Sequence, residues 1–373
     1  MKTIKFSLSL AVVGFFAACV LTSCEPNQDV DNQKDILPEK FRVDIPSSIS
    51  NANTNGRLSG RTASDTLNGN DIYKNLNLFI AVGEGASQLV EEFINGIRKY
   101  RIDRIQTLTF KSDDDSRTKN LVVESNVSFS NRTWDYMLTV TDADSEKESD
   151  GGNALQIFWN TTAPIEGIAI IKPYNCDRTK NSEVKDAIFR IDYSEAAANG
   201  YEAHMEVRIA GLPLANPLQD PFSINTLHMF VGKKGDVVDV YGNSNHPNAY
   251  LFTEEAGFNW AFVASGNETK NIGVAEVGLP PSNLNSTDRT VLLKDYSIKN
   301  VFTNGVTAMW PSIDQNVLAA YLKNTAAPGY FDKNGFIKGG ASPGADWNPL
   351  NERLGSLKPY NPKETANLTL TFK

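Results

Sequence analysis

From about Ile105 to Leu279 apolar residues recur at every second position, a period that commits the chain to extended strands with one buried face. Trp134, Tyr136, Leu138 and Val140 alternate with Asp135, Met137, Thr139 and Thr141. Phe189, Ile191 and Tyr193 alternate with Arg190 and Asp192, and Met205, Val207 and Ile209 with His204, Glu206 and Arg208. Runs such as Asp150-Gly151-Gly152-Asn153, Lys233-Lys234-Gly235-Asp236 and Gly266-Asn267-Glu268 supply the turns. Connections this short leave no room for helical crossovers, so neighbouring strands are expected to pair antiparallel. A flat sheet of so many strands is unusual, and a long antiparallel meander curling into a barrel or half-barrel is expected. Leu155–Trp159 and Ile168–Ile171 are apolar on both faces and mark a central hairpin, expected to be covered on one side by N-terminal helices.

The flanks change period. Ile72, Tyr73, Leu76, Phe79 and Ile80 recur at helical spacing, as do Leu89, Val90, Phe93, Ile94 and Ile97. Gly83-Glu84-Gly85 lies between the two sets, so an N-terminal pair of amphipathic helices broken at the glycines is expected. After Pro280-Pro281, Ser312-Ile313-Asp314-Gln315 has the form of a capping box, opening a helix through Val317, Leu318, Tyr321 and Leu322. Asp332-Lys333-Asn334-Gly335 predicts a tight turn between short strands. Asn348-Pro349 opens and Gly355 closes another short helix, and Leu368, Leu370 and Phe372 alternate as a last strand. No linker separates these parts. The expected fold class is α+β and β-dominated: one domain over 71–373, with the meander at about 105–279. The C-terminal cover of short helices spans about 280–373.

The chain begins with a different kind of segment. Lys2 and Lys5 precede an apolar run from Phe6 to Val20, then Leu21-Thr22-Ser23-Cys24. The run is too short and wrongly flanked to span a bilayer, and it has the layout of a secretory signal. Its end, Leu-x-Ser-Cys, resembles the lipobox of bacterial lipoproteins, a resemblance confined to the first 24 residues. It implies a signal peptide over 1–23, lipidation of Cys24 and acyl chains, such as palmitate, that hold the mature chain on a membrane. Glu25 rather than Asp after the cysteine implies, by the same resemblance, the outer membrane, facing either the periplasm or the cell surface. Loss of Lys2 and Lys5 with the leader takes the net charge from −8 to about −10. That balance disfavours nucleic acid and anionic bilayers as partners. Once Cys19 is removed and Cys24 is acylated, Cys176 is the one remaining thiol, so no internal disulfide is expected.

Residues 24–70 are polar and are expected to form a flexible tether, with an r.m.s. span of roughly 35–40 Å. Phe41-Arg42-Val43-Asp44-Ile45 is its one alternating island, expected to dock as a short edge strand. Asp65-Thr66-Leu67 resembles the O-glycosylation site of Bacteroidota, which makes Thr66 the candidate modified residue.

Within the meander, Asp142-Ala143-Asp144-Ser145-Glu146 opens like a calcium loop, but Lys147 stands where the turn needs glycine and no bidentate Glu follows. A solvated hairpin loop is expected there, and Asp113-Asp114-Asp115 is expected to face water. Tyr241 to Tyr250 is dense in hydrogen-bonding side chains flanked by tyrosines, the chemistry a neutral polar ligand such as a sugar needs. Asn243, Asn245, His246 and Tyr250 are its candidate ligand-binding residues. The competing reading is an asparagine-rich turn whose side chains bond their own backbone. The chain has no Gly-x-Ser-x-Gly elbow, His-Glu-x-x-His or paired-Cys motif. Neither a metal nor a cofactor is expected, and a non-enzymatic function is. The general style resembles uncharacterised surface lipoproteins of Bacteroidota. The functional expectation is a lipid-anchored, exported module that binds a glycan, lipid or envelope protein. The alternative is a lipid or lipoprotein carrier, since a curved sheet covered by helices resembles the half-barrel carriers.

Overall fold

A computed structural model describes residues 40–50, 69–98, 105–112, 114–198, 200–216, 222–252 and 256–373. Its strands are β1 (Thr107–Lys111), β2 (Thr118–Phe129), β3 (Arg132–Asp142), β4 (Asn153–Trp159), β5 (Glu166–Ile171), β6 (Ile188–Ser194) and β7 (Ala203–Ala210). Then come β8 (Thr226–Lys234), β9 (Val237–His246), β10 (Phe258–Asn267), β11 (Ile272–Gly278), β12 (Gly329–Asp332) and β13 (Gly335–Gly339). The order in the 13-stranded sheet is the order in the chain, β1 to β13 with no crossover. The meander is therefore open-ended in strand order, and the fold is β-dominated α+β. The helices are α1 (Ser47–Ser50), α2 (Asp71–Arg98), α3 (Pro173–Cys176), α4 (Ile298–Met309), α5 (Gln315–Tyr321), α6 (Asn348–Leu354) and α7 (Pro362–Ala366).

Two compact units divide the described residues: Val43–Glu84 with Pro213–Leu368, and 40–42 with Gly85–Leu212 and Thr369–Lys373. In the second unit, β2 and β3 pair from Lys119↔Asp142 to Phe129↔Arg132. Their two turn residues, Ser130 and Asn131, both have positive φ (50° and 61°), the twist that suits a two-residue hairpin. The β4–β5 hairpin is buried on both faces, as its apolar runs require. On one face Phe158, Ile168 and Ile170 join Val127, Trp134 and Met137, with Phe372 packed against them. On the other, the Phe41 ring lies so close to Gly167 that a Cβ there would stand 2.5 Å from it.

Those two aromatics bear on two expectations. Phe41, Val43 and Ile45 are buried, so the alternating island is packed against the folded body, although it forms no strand ladder. The Phe41 N–H donates to the Glu91 carboxylate (2.9 Å), and Arg42 pairs with the same group (2.9 Å). At the other end, Leu368, Leu370 and Phe372 are half-buried at alternating positions without strand pairing. Side-chain burial, with a hydrogen bond from the Lys373 N–H to the Gln156 side chain (2.8 Å), holds that segment to the period of a strand.

In the first unit, β8 to β11 form a layer covered on both faces. Leu227, Met229, Val240 and Phe262 are buried on one face, and helix α2 packs there. The α2 glycines do not break the helix, which runs unbroken from Asp71 to Arg98, so the expected helical pair is a single helix. Glycine costs a helix interior only about 1 kcal/mol relative to alanine, and here close packing requires it. A Cβ on Gly83 would lie 2.3 Å from the Met229 methyl. On the opposite face Val263, Val274, Leu292, Leu293, Leu350 and Leu354 form a second apolar layer, closed by α6 and its neighbours. Helix α5 is capped by Asp314, whose carboxylate accepts from the N–H groups of Asn316 (2.8 Å) and Val317 (3.2 Å). Ser312, the expected cap, lies outside it.

Candidate functional site

The stretch from Tyr241 to His246 is strand, not loop: β9 continues to His246 and pairs with β10 over ten positions, ending at His246↔Phe258. Strand alternation therefore sends its side chains to opposite faces. Asn243 and Asn245 face the C-terminal segment. Asn243 Nδ2 donates to the Tyr360 carbonyl (3.1 Å) and Asn245 Nδ2 to Ser282 Oγ (2.6 Å). Two more groups of the same face do likewise: Asn259 Nδ2 donates to the Pro362 carbonyl (3.3 Å) and Thr226 Oγ1 to the Thr365 carbonyl (2.7 Å). Three of these side chains hold backbone carbonyls of the chain's own C-terminal segment, two of them in α7, and Asn245 holds the Ser282 hydroxyl.

His246 points the other way, into the helix-covered face, with no exposed surface. Its ring packs against Phe79, Phe258 and Trp260 with centroids 5.2, 5.1 and 5.9 Å away. Nδ1 lies 2.7 Å from the Phe222 carbonyl and Nε2 lies 2.9 Å from Ser244 Oγ. The carbonyl accepts from Nδ1, so the neutral ring carries its proton there and Nε2 accepts from the Ser244 hydroxyl. Tyr250 stands apart beyond the strand end and is 57% exposed. The four residues thus do not converge on one pocket. Three are interior, each bonded within the protein, which corrects the expectation of an exposed ligand loop. Asparagine is depleted in strands, which hid the continuation of β9. The period-2 pairing of Tyr241, Asn243 and Asn245 against Gly242, Ser244 and His246 was the signal that marked it.

Burial pushes the His246 imidazole down to about 4, against the weaker upward pull of its bond to Phe222. The folded state therefore favours the neutral ring, and its contribution to stability is complete above the ordinary value of about 6.5. That contribution is lost as the pH falls from about 6.5 towards about 4, by up to roughly 3 kcal/mol. Carboxylates titrate over the same range, so the expected result is a difference. The stability gap between the parent and His246→Gln narrows as the pH is lowered from 7 to 4 in urea titrations. A gap that stays constant would show that His246 does not titrate as a buried neutral group.

The acidic segments have a second outcome. Asp142 has no exposed surface, and its carboxylate meets Arg117 Nε (2.6 Å), Lys119 Nζ (3.3 Å) and Arg178 Nε (3.3 Å). Lys119 is itself buried and reaches Asp115 (3.1 Å) and the Asn175 carbonyl (2.9 Å). Burial pushes the Asp115 carboxyl up, but the N–H groups of Arg178 and Arg117 and the Lys119 ammonium outweigh it and hold the carboxyl below its usual range. Asp142 thus belongs to an interior ion-pair network with three cations of the chain, whereas Asp144, Glu146 and Lys147 are exposed, as expected of a solvated loop. Among the described residues no group of three or more His, Cys, Asp or Glu side chains is arranged to hold a metal. The network was illegible because its members, at 115, 117, 119, 142 and 178, come from separate segments. Gly152 makes the join possible, since a Cβ there would stand 2.4 Å from the Asp142 carbonyl oxygen.

His228 stacks on Tyr360 with ring centroids 3.5 Å apart, and Cys176 is half-buried with its thiol 3.5 Å from the Ala154 carbonyl. Cys24 and Thr66 lie outside the described residues. Comparison with known protein families, with curated proteins and with solved structures gives no match.

Proposed function

We propose that the chain is a lipid-anchored, exported envelope protein of the outer membrane whose folded body is a non-enzymatic module for a ligand or partner. The observation that carries this reading is the N-terminal pattern: Lys2 and Lys5, an apolar run, and Leu21-Thr22-Ser23-Cys24 at its end. No helix of the described residues is long and apolar enough to cross a membrane. In this reading the acyl chains on Cys24 supply the attachment, each buried CH₂ contributing about 0.8 kcal/mol. Support for a binding module over a carrier comes from packing. A carrier needs an empty apolar face, whereas the face of β8 that presents Leu227 and Met229 is filled by α2 so closely that Gly83 has no room for a Cβ. Support for a non-enzymatic body comes from the histidines: His246 is enclosed among aromatic rings, and His228 lies flat against Tyr360.

The expected result of Cys24→Ala or Cys24→Ser is release of the protein from the membrane fraction. Fractionation followed by a carbonate wash reads this directly. Retention of the variant on washed membranes would overturn the anchor.

A further inference from the structure

We propose that the corner between α4 and α5 is a lipid-contacting surface, which rests on the headgroup and carbonyl region of a bilayer. Met309, Trp310 and Val317 are 55%, 55% and 58% exposed there, with Ala308 and Pro311 exposed beside them. Single exposed apolar residues need no explanation, but three large ones within nine residues of one corner are the kind of exposure that marks an interaction site.

The corner is held rigid. The Trp310 N–H donates to the Val306 carbonyl (2.9 Å) and the Ile313 N–H to the Trp310 carbonyl (3.0 Å), and Asp314 caps the following helix. Beneath it Phe302, Val306 and Leu318 are buried, and Phe302 is wedged against Phe252 and Tyr321 with centroids 5.0 and 5.9 Å away. A fixed base of this kind keeps the apolar side chains turned outward.

Charge selects the occupant. Between Lys299 and Lys323 the only formal charge is Asp314, and its carboxylate is spent on two backbone N–H groups. The remaining polar side chains on the corner, among them Asn304, Thr307, Ser312 and Asn316, are neutral. A tryptophan with aliphatic neighbours, neutral hydrogen-bonding groups and a lysine at either end is the composition of a membrane interface. A chain of net charge near −10 after loss of the leader meets a zwitterionic bilayer more readily than an anionic one. The inference rests on the lipid-anchor reading for its proximity. The 16 peptide steps from Cys24 to Lys40 span at most about 55 Å, which keeps the body within reach of the bilayer.

The test uses the chain from residue 24 onward with Cys24→Ser, which retains every described element. It is floated with vesicles of phosphatidylcholine and phosphatidylethanolamine, with and without brominated acyl chains. Expected are co-flotation that persists at 0.5 M salt and quenching of tryptophan emission by bromine. The triple variant Met309→Ser, Trp310→Ser, Val317→Ser should lose at least tenfold in partitioning while its melting temperature stays within a few degrees. No co-flotation of the parent, or equal co-flotation of the triple variant, would overturn the proposal. So would a parent dimer in size-exclusion chromatography that the triple variant breaks, because the patch would then be covered by a second copy. Acyl labelling of the full-length chain separates the two readings. Labelling of Cys24 without vesicle binding removes the corner and keeps the anchor; vesicle binding without labelling does the reverse.

Discussion

Replacing Asp142 with alanine is expected to cost about 3–5 kcal/mol, a large part of the roughly 5–15 kcal/mol that holds a typical domain folded. The carboxylate is fully enclosed and meets three cations, one of which, Lys119, is as deeply buried as Asp142 itself. Arg117 and Arg178 retain some exposure, so they turn towards water when their partner is lost. Lys119 has no such exit and keeps only the Asp115 carboxylate and the Asn175 carbonyl. The penalty comes mainly from that stranded ammonium rather than from the Coulomb energy of the pair. A second substitution separates the two. Combining Asp142→Ala with Lys119→Met removes the stranded ammonium, leaves Asp115 on the N–H groups of Arg117 and Arg178, and should restore at least about 1 kcal/mol relative to Asp142→Ala alone. The measurement is the urea midpoint of each variant. A loss under about 1 kcal/mol for Asp142→Ala would show the network to be solvated after all.

The triple change Asn243→Ala, Asn245→Ala, His246→Ala should lower stability by about 4–6 kcal/mol. Truncating a fully enclosed ring the size of His246 costs a few kcal/mol through the cavity it leaves among Phe79, Phe258 and Trp260. Each asparagine removes a hydrogen bond worth about 1 kcal/mol and unties the C-terminal segment at Tyr360 and at Ser282. Asn245 and His246 are adjacent in the chain, so the sum falls short of strict additivity. At 2–4 °C for each kcal/mol, the melting temperature should drop by about 10–20 °C. Thermal melting and a glycan or envelope-extract binding assay on one preparation check it. A variant that melts with the parent yet has lost binding would return these residues to a ligand site.

The contrast between these residues and the strands shows what a linear reading can carry. Strand existence is a local property, because alternation within six or seven residues decides which face is buried. The segments of β1 to β11 were visible as short apolar or alternating runs, β4 and β5 as continuous apolar ones, and β12 and β13 as the arms of an Asp-Lys-Asn-Gly turn. The short helix opened at Asn348-Pro349 and closed at Gly355 was legible for the same reason, since caps act within one turn of chain. The antiparallel order of β1 to β11 followed from mostly short connections, whereas whether the sheet closes did not.

What failed were inferences from residue type to environment. Asn243, Asn245 and His246 look like a surface loop because asparagine and histidine are polar, and Asp142 looks solvated because it follows a strand end. Each is buried because a distant segment supplies the missing partner: Tyr360 for Asn243, Phe222 for His246, Lys119 and Arg178 for Asp142. The unbroken helix through Gly83 has the same origin, as Met229 lies far away in the chain and takes the space of a side chain. Local periodicity and capping chemistry by themselves determined most of the strands and turns and two of the C-terminal helices, α5 and α6, but not α4 or α7. Whether a polar group faces water or a partner depends on which remote segment lies across from it, and only the tertiary structure decided that.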